Sequence, residues 1–234
     1  MESLVFACTL FDFNGVLVDD ERVHLAAFQD TLAPLGITLS EADYWEKYLG
    51  FDDVGAFEAV LRAHGQAADR ARVDELVRAK FPIYMQRAEQ SLEVFEGAAN
   101  LVARCAGFGP VGVVSGALRP EIELGLRVLG VRGDVGFIVA AEDTQVSKPD
   151  PEGYLMGLAK LREQMPALEP HQVLVVEDSI SGIEAAKSAK LTCIAVAHSY
   201  PESELRSAGA DAVAAHIRDV DQALLERTAA QAGS

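Results

Sequence analysis

The stretch Val5-Phe6-Ala7-Cys8-Thr9-Leu10-Phe11-Asp12-Phe13-Asn14-Gly15-Val16 decides the fold. Its first seven residues form a mainly apolar, β-prone run, as expected of a strand buried on both faces of a parallel sheet. The run stops at a carboxylate, Asp12, and the chain turns at Gly15. In an open α/β sheet, ligands bind outside the carboxyl ends of the strands. Asp12 therefore stands where a nucleophile or a metal ligand would stand. Asn14 follows two residues later, where a second carboxylate would make more chemical sense.

Further short apolar runs lie at residues 111–115, 137–140, 173–176, 192–196 and 211–214. Between the later ones, residues 97–106, 118–129, 151–161 and 180–189 carry apolar side chains at helical spacing. This alternation predicts an α/β, doubly wound, mainly parallel, Rossmann-like sheet core with right-handed crossovers. One interval breaks it. After Val18 about 75 residues contain no convincing strand, and residues 24–35, 40–48, 52–64 and 70–88 read as helices, with Ser40 as an N-cap. The expected organisation is a core of residues 1–18 and 93–234 and an inserted all-helical cap of residues 19–92. Hinges are expected near 18–20 and 91–94, and a helical module at the sheet's carboxyl edge could serve as a lid. The tail, residues 229–234, is expected to fray.

Bulk properties narrow the functional classes. The 234 residues are half hydrophobic and carry a net charge of -16, with pI about 4.6 and mean hydropathy +0.13. A sizeable core is expected, and nucleic acid is disfavoured as a partner because the surface repels phosphate backbones. Cys8, Cys105 and Cys193 are odd in number and widely spaced, which suits free thiols in a reducing compartment. There is no basic leader and no apolar run of ~18 residues. A soluble, cytoplasmic protein without membrane contact is expected, with a monomer as the default.

Four polar pieces fall at predicted strand ends: Asp12 to Val16, Ser115-Gly116, Ser147-Lys148-Pro149-Asp150-Pro151 and Glu177-Asp178-Ser179. Alone, each reads as a helix cap. Together they align carboxylates, a hydroxyl and an ammonium along one sheet edge, a combination suited to phosphoryl transfer. Asp12 can attack phosphorus and form an aspartyl-phosphate. Asp12 and Asp178 can hold Mg²⁺, a hard cation that takes one or two carboxylates. Lys148 and Ser115 can bind the transferring oxygens.

These motifs resemble, in order and spacing, those of the haloacid dehalogenase superfamily. The stretches Lys148-Pro-Asp-Pro-Glu-Gly-Tyr and Val173-Leu-Val-Val-Glu-Asp-Ser-Ile-Ser-Gly-Ile-Glu-Ala-Ala look like its beta-phosphoglucomutase and phosphoglycolate phosphatase branch. The resemblance spans essentially the whole chain. It implies a phosphoric monoester hydrolase that acts on a small phosphorylated metabolite with Mg²⁺. Asp12 would be nucleophile and metal ligand, the Asn14 carbonyl a further ligand, Asp178 a ligand and Glu177 a ligand or its supporting partner. Ser115, with Gly116 beside it, and Lys148 would bind phosphate. His24 and Lys80, the latter followed by Tyr84, look like cap residues that position the residue-14 side chain or bind substrate.

The chain departs from that pattern at residue 14, where the family usually has an aspartate as general acid and base. The Asn14 amide cannot give up or accept a catalytic proton. Losing such help costs ~10²–10⁴-fold in rate, roughly 3–5 kcal/mol of barrier. Three readings stay open: a natural, slow or specialised enzyme; an introduced Asp→Asn change; or a catalytically silent phosphate-binding protein. Glu21 or His24 could stand in as the base. Asn14-Gly15 is also a deamidation-prone pair. A phosphohexose mutase is disfavoured because Asp52-Asp53 lies near where that branch has a phosphate-gripping arginine, although Arg119 could supply a replacement cation. Haloacid dehalogenation needs no metal, so the Glu177-Asp178 pair argues against it.

Overall fold

β1 (Cys8–Phe11) runs straight into the Asp12 turn and is followed by β2 (Val18–Asp19). Four helices come next: α1 (Glu21–Leu32), α2 (Glu41–Asp43), α3 (Asp53–Ala63) and α4 (Arg70–Ser91). After β3 (Glu93–Val94) the chain alternates through α5 (Ala98–Ala106), β4 (Val111–Val114), α6 (Arg119–Leu129), β5 (Phe137–Val139), α7 (Glu152–Gln164) and β6 (Val173–Glu177). It ends with α8 (Ile180–Ser188), β7 (Thr192–Val196), α9 (Glu202–Ser207), β8 (Ala212–Ala214) and α10 (Gln222–Ala232). This is a computed structural model that describes residues 6–233.

Six strands form one parallel sheet in the order β5-β4-β1-β6-β7-β8. The chain builds outward from β1 through β4 to β5, then returns to the other side of β1 and builds outward again through β6, β7 and β8. The seam between β1 and β6, where Phe11 lies opposite Val176, is therefore the topological switch point. Every residue of β1, β4, β6 and β7 is buried, which explains their mainly apolar character, with Thr9, Thr192 and Glu177 as the buried polar exceptions. Leu10, Val114, Val175, Ile183 and Cys193 belong to one packed cluster. Truncating Leu10, wholly buried within it, to alanine would cost about 2–5 kcal/mol.

Two helices of this sheet unit start at side-chain caps. Ser179 Oγ accepts the Gly182 N–H at 3.0 Å at the head of α8, and Asp221 Oδ1 accepts the Leu224 N–H at 2.8 Å at the head of α10. Gly182 has a second role, because a Cβ there would lie 1.7 Å from Glu177 Oε1. The glycine lets α8 begin directly against that carboxylate.

Residues Asp20–Glu93 form a separate unit by their contacts. It has its own core, with Phe28, Leu32, Phe57, Leu61 and Val73 buried together. α3 and α4 are capped by Asp52, which accepts the Gly55 N–H at 2.7 Å, and by Asp69, which accepts the Arg72 N–H at 3.1 Å.

Several elements differ from the sequence expectation. The helix expected to reach residue 35 ends at Leu32 in a 3-10 turn, where Pro34 lacks a donor and Gly36 adopts φ +69. Residues 40–48 form a short α turn and then a π-helical turn, Tyr44–Tyr48. α4 runs on to Ser91 with Pro82 inside it. α9 and α10 were not anticipated, and α10 makes residues 229–232 helical where fraying was expected. The first strand, expected from residue 5, begins at Cys8, and residue 5 lies outside the described residues. Among the described residues, no helix is long and apolar enough to cross a membrane.

Candidate active site

The carboxyl ends of β1, β4 and β6 and the loop before α7 bring four predicted pieces together. Asp12 follows β1, donates its backbone N–H to Val176 O at 3.0 Å, and is buried. Lys148 Nζ donates to Asp12 Oδ1 at 2.6 Å, to Glu177 Oε1 at 2.7 Å and to Val114 O at 3.3 Å. One ammonium thus bridges the ends of three neighbouring strands. Ser115 is fixed through its N–H on Val139 O at 3.0 Å. Its Oγ accepts the Ala117 N–H at 3.1 Å and donates to Asn14 Oδ1 at 3.3 Å. Gly116 is exposed and lines a small cleft with Ser115, Lys148 and Tyr154.

Carboxylate oxygens of Asp12, Glu177 and Asp178 lie within 4.8 Å of one another. Three carboxylates face one lysine, and the donors are all oxygen, which suits a hard divalent cation. Glu177 is occupied differently from the other two. Its Oε1 accepts Lys148 and the Tyr154 hydroxyl (2.8 Å), and its Oε2 accepts the Asp178 N–H, the Ser179 N–H and the Ser179 hydroxyl at 3.0–3.1 Å. Five donors make it the organiser of the cluster, so the fit to a metal rests chiefly on Asp12 and Asp178.

The electrostatics agree. Burial pushes the Asp12 carboxyl up to about 6, with Lys148 pulling it back and Glu177 adding repulsion. Burial, then the negative charges of Glu177 and Asp12, push Asp178 well above the usual carboxylate range. Burial opposes ionisation of Glu177 too, but the Lys148 charge and hydrogen bond hold it below its ordinary value. Burial opposes protonation of Lys148, and Asp12 and Glu177 outweigh it, so the ammonium is retained. A bound cation would relieve the repulsion concentrated on Asp178.

The turn after Asp12 depends on glycine. Gly15 has φ +72, and a Cβ there would lie 2.0 Å from Asp178 Oδ2. The Gly15 N–H donates to Val18 O at 2.9 Å. Deamidation of Asn14 would require that nitrogen to attack the side-chain amide, so this bond opposes the reaction in the folded state.

The other predicted residues have partners of their own. The Arg119 guanidinium is paired with Asp143 and bonded to Ile138 O, and the Arg119 backbone N–H donates to Glu142 at 3.2 Å. In the helical unit, Lys80 is wholly buried. Its Nζ lies 2.7 Å from His24 Nδ1, is bonded to Asp53, and sits 4.3 Å from the Phe28 ring centre. His24 Nε2 lies 3.2 Å from Asp20 Oδ2, which also accepts the Tyr84 hydroxyl at 2.5 Å. Glu21 accepts the Tyr44 hydroxyl at 2.6 Å. These residues form one network within their own unit.

Sequence reasoning missed His198 and Ser199. His198 Nδ1 lies 2.7 Å from Gly15 O, and Ser199 donates its hydroxyl to Asp178 Oδ2. Their signal was the one used for Asp12: polar residues just past the end of an apolar run, here residues 192–196. Tyr154 was missed as well, since a tyrosine inside an amphipathic helix reads as core.

Known proteins resemble this chain over most of its length. The family profile for haloacid dehalogenase-like hydrolases matches residues 9–196. The protein CbbY of Cereibacter sphaeroides is 30% identical over 213 residues, covering 86% of this chain and 88% of that one. Hexitol phosphatase B of Escherichia coli K12 is 28% identical over 204 residues, covering 86% and 88%. The crystal structure of CbbY from Rhodobacter sphaeroides in complex with phosphate superposes with a TM-score of 0.81 at 25% identity, covering 94% of this chain and 99% of that one. One curated relative is far longer, and the chain spans 19% of its length.

Proposed function

Because the chain belongs to the haloacid dehalogenase-like hydrolase family, we propose that it is a Mg²⁺-dependent phosphatase acting on small phosphorylated sugars through a phosphoryl group held on Asp12. The observation that carries this reading is the short Lys148–Asp12 contact beside Asp178 at the switch point of the sheet. An ionised Asp12 oxygen attacks phosphorus as the ester oxygen departs with the bonding pair. Water then attacks the acyl phosphate, releases inorganic phosphate and restores the carboxylate. Lys148 stays protonated and binds oxygens of the transferring group, while the Ser115 hydroxyl and the adjoining Gly116 backbone bind others. Asp12 and Asp178, with the Asn14 carbonyl, would hold Mg²⁺, which supplies positive charge to the phosphoryl oxygens. The hexitol phosphatase relative supports a sugar-sized phosphomonoester.

Asn14 sets the limit on rate. Its amide donates hydrogen bonds but cannot protonate a departing alkoxide. Aryl and acyl phosphates, whose leaving groups need less protonation, are turned over better than sugar phosphates. A Mg²⁺ phosphatase screen across these classes tests the reading, run on this chain and on Asn14→Asp. Faster turnover of aryl than of sugar phosphates by this chain, with sugar-phosphate turnover raised most in the variant, is the expected result. Inactivity of both proteins towards every class would give way to a second reading, which Asn14 itself favours: a silent phosphate-binding protein.

A further inference from the structure

We propose that the loop following β7, Ala197-His198-Ser199, positions the phosphoryl site by holding the Gly15 turn and the Asp178 carboxylate together. This rests on the phosphatase reading for its purpose, but it stands on geometry of its own. The loop is anchored by the Ala197 N–H on Ala214 O at 2.9 Å. A carbonyl oxygen only accepts, so His198 Nδ1, 2.7 Å from Gly15 O, carries the ring proton. Nε2 is then a lone pair, and it accepts the Ile217 N–H at 3.2 Å. The ring lies stacked on Phe95, with centres 3.9 Å apart and planes 21° from parallel. His198 is thus a fixed donor aimed at one peptide oxygen.

Its neighbour Ser199 grips Asp178 Oδ2 through its hydroxyl. The two gripped groups abut, since even a methyl group on Gly15 would come within 2.0 Å of that same oxygen. Consecutive residues therefore hold the two sides of one close contact. Releasing either side frees Asp178, a proposed cation ligand, to rotate, or the Gly15-Val16 peptide to turn, and that peptide adjoins through Gly15 the Asn14 carbonyl, the other proposed ligand. His198 and Ser199 are positioning residues in this scheme, and neither reacts.

Calorimetric Mg²⁺ titration of the whole protein tests it, with unfolding midpoints measured on the same metal-free samples. Ser199→Ala and His198→Phe, which keeps the stacked ring, should each weaken Mg²⁺ binding by ~10–100-fold. Ser199→Thr and His198→Asn, which restore a donor, should bind close to the unsubstituted protein. Equal affinity in all five proteins would overturn the proposal. So would a loss in Ser199→Thr as large as in Ser199→Ala, because packing alone would then explain it. If the affinity pattern appears but no phosphomonoester is turned over by this chain or by Asn14→Asp, the phosphatase reading fails and the positioning role stands. If turnover is present and the affinities do not change, the positioning role fails and the phosphatase reading stands.

Discussion

Each unit of the molecule builds a cluster of charges around one lysine, and the two clusters are arranged differently. At the sheet edge, Lys148 is shared between Asp12 and Glu177, and Asp178 is held by the Ser199 hydroxyl. In the helical unit, Lys80 is paired with Asp53 and packed over Phe28, while Asp20 and Glu21 each receive a tyrosine hydroxyl. One cluster shares its cation and concentrates electrostatic repulsion on Asp178; the other gives each carboxylate a donor and wraps its cation in aromatic rings. The same ingredients make a receptive site in the first case and an internal framework in the second.

Breaking the receptive cluster should produce the largest effects. Asp12→Asn removes the nucleophile and should lower kcat by ~10⁴-fold or more, read in a steady-state phosphatase assay with Mg²⁺. Residual turnover within tenfold of the unsubstituted chain would mean that Asp12 does not take the phosphoryl group. Asn14→Asp sharpens the same cluster in the other direction. It should raise kcat on sugar phosphates by ~10²–10⁴-fold with a smaller gain on aryl phosphates, and an equal gain on both would point away from leaving-group protonation.

The framework cluster should answer in stability. Lys80→Met leaves Asp53 without its buried cation and should cost about 3–5 kcal/mol. The chain's single tryptophan, Trp45, lies in the helical unit, so its fluorescence in a urea titration reports on that unit. A neutral or stabilising result would show that the charges of this cluster are dispensable.

The two units also differ in the direction of their histidine pH dependence. Burial and Lys80 oppose protonation of His24, but Asp20 and Asp53 outweigh them and raise its pKa above 6.5. Its stabilising contribution is full below 6.5 and is lost as pH rises through the folded-state value. Burial lowers the pKa of His198, so the folded state gives up its proton more readily than the unfolded one. The contribution of His198 is present above 6.5 and is lost as pH falls towards the lowered value. Melting temperatures from pH 5 to 8, compared with His24→Gln and His198→Asn, should show differences that move in opposite directions with pH. Parallel curves for the two pairs would defeat the contrast. The smallest effect belongs to Arg87→Ala, which removes an exposed pair with Asp30 and should cost under about 1 kcal/mol by the same urea titration.

The sheet was legible because each of its six strands overlaps a short, mainly apolar run in a strand-helix alternation, and residues 192–196 match β7 end to end. Asp12, Ser115, Lys148 and Glu177-Asp178 were legible as a set because parallel strands deliver their carboxyl ends to one edge. α9 and α10 were hidden because α9 is only six residues long and α10 mixes alanines with charges. The pairing of Arg119 with Asp143 was not legible, because 24 residues separate them and only the fold brings them together. The five donors on Glu177 were equally invisible, since one of them comes from Tyr154 on a different helix.

The central position of β1 has a consequence for synthesis on the ribosome. Thr9 pairs with Val111 on one side and with Leu174 on the other. The helical unit, by contrast, is closed by residues 20–93 alone. A nascent chain that has emerged as far as α7 holds every residue of the helical unit and the proposed nucleophile Asp12 with nothing to complete the cluster, because Glu177 and Asp178 are not yet made. The β4 side of β1 can pair early, but its β6 side must wait for the late strand, so a prematurely terminated chain lacks Glu177 and Asp178 beside Asp12.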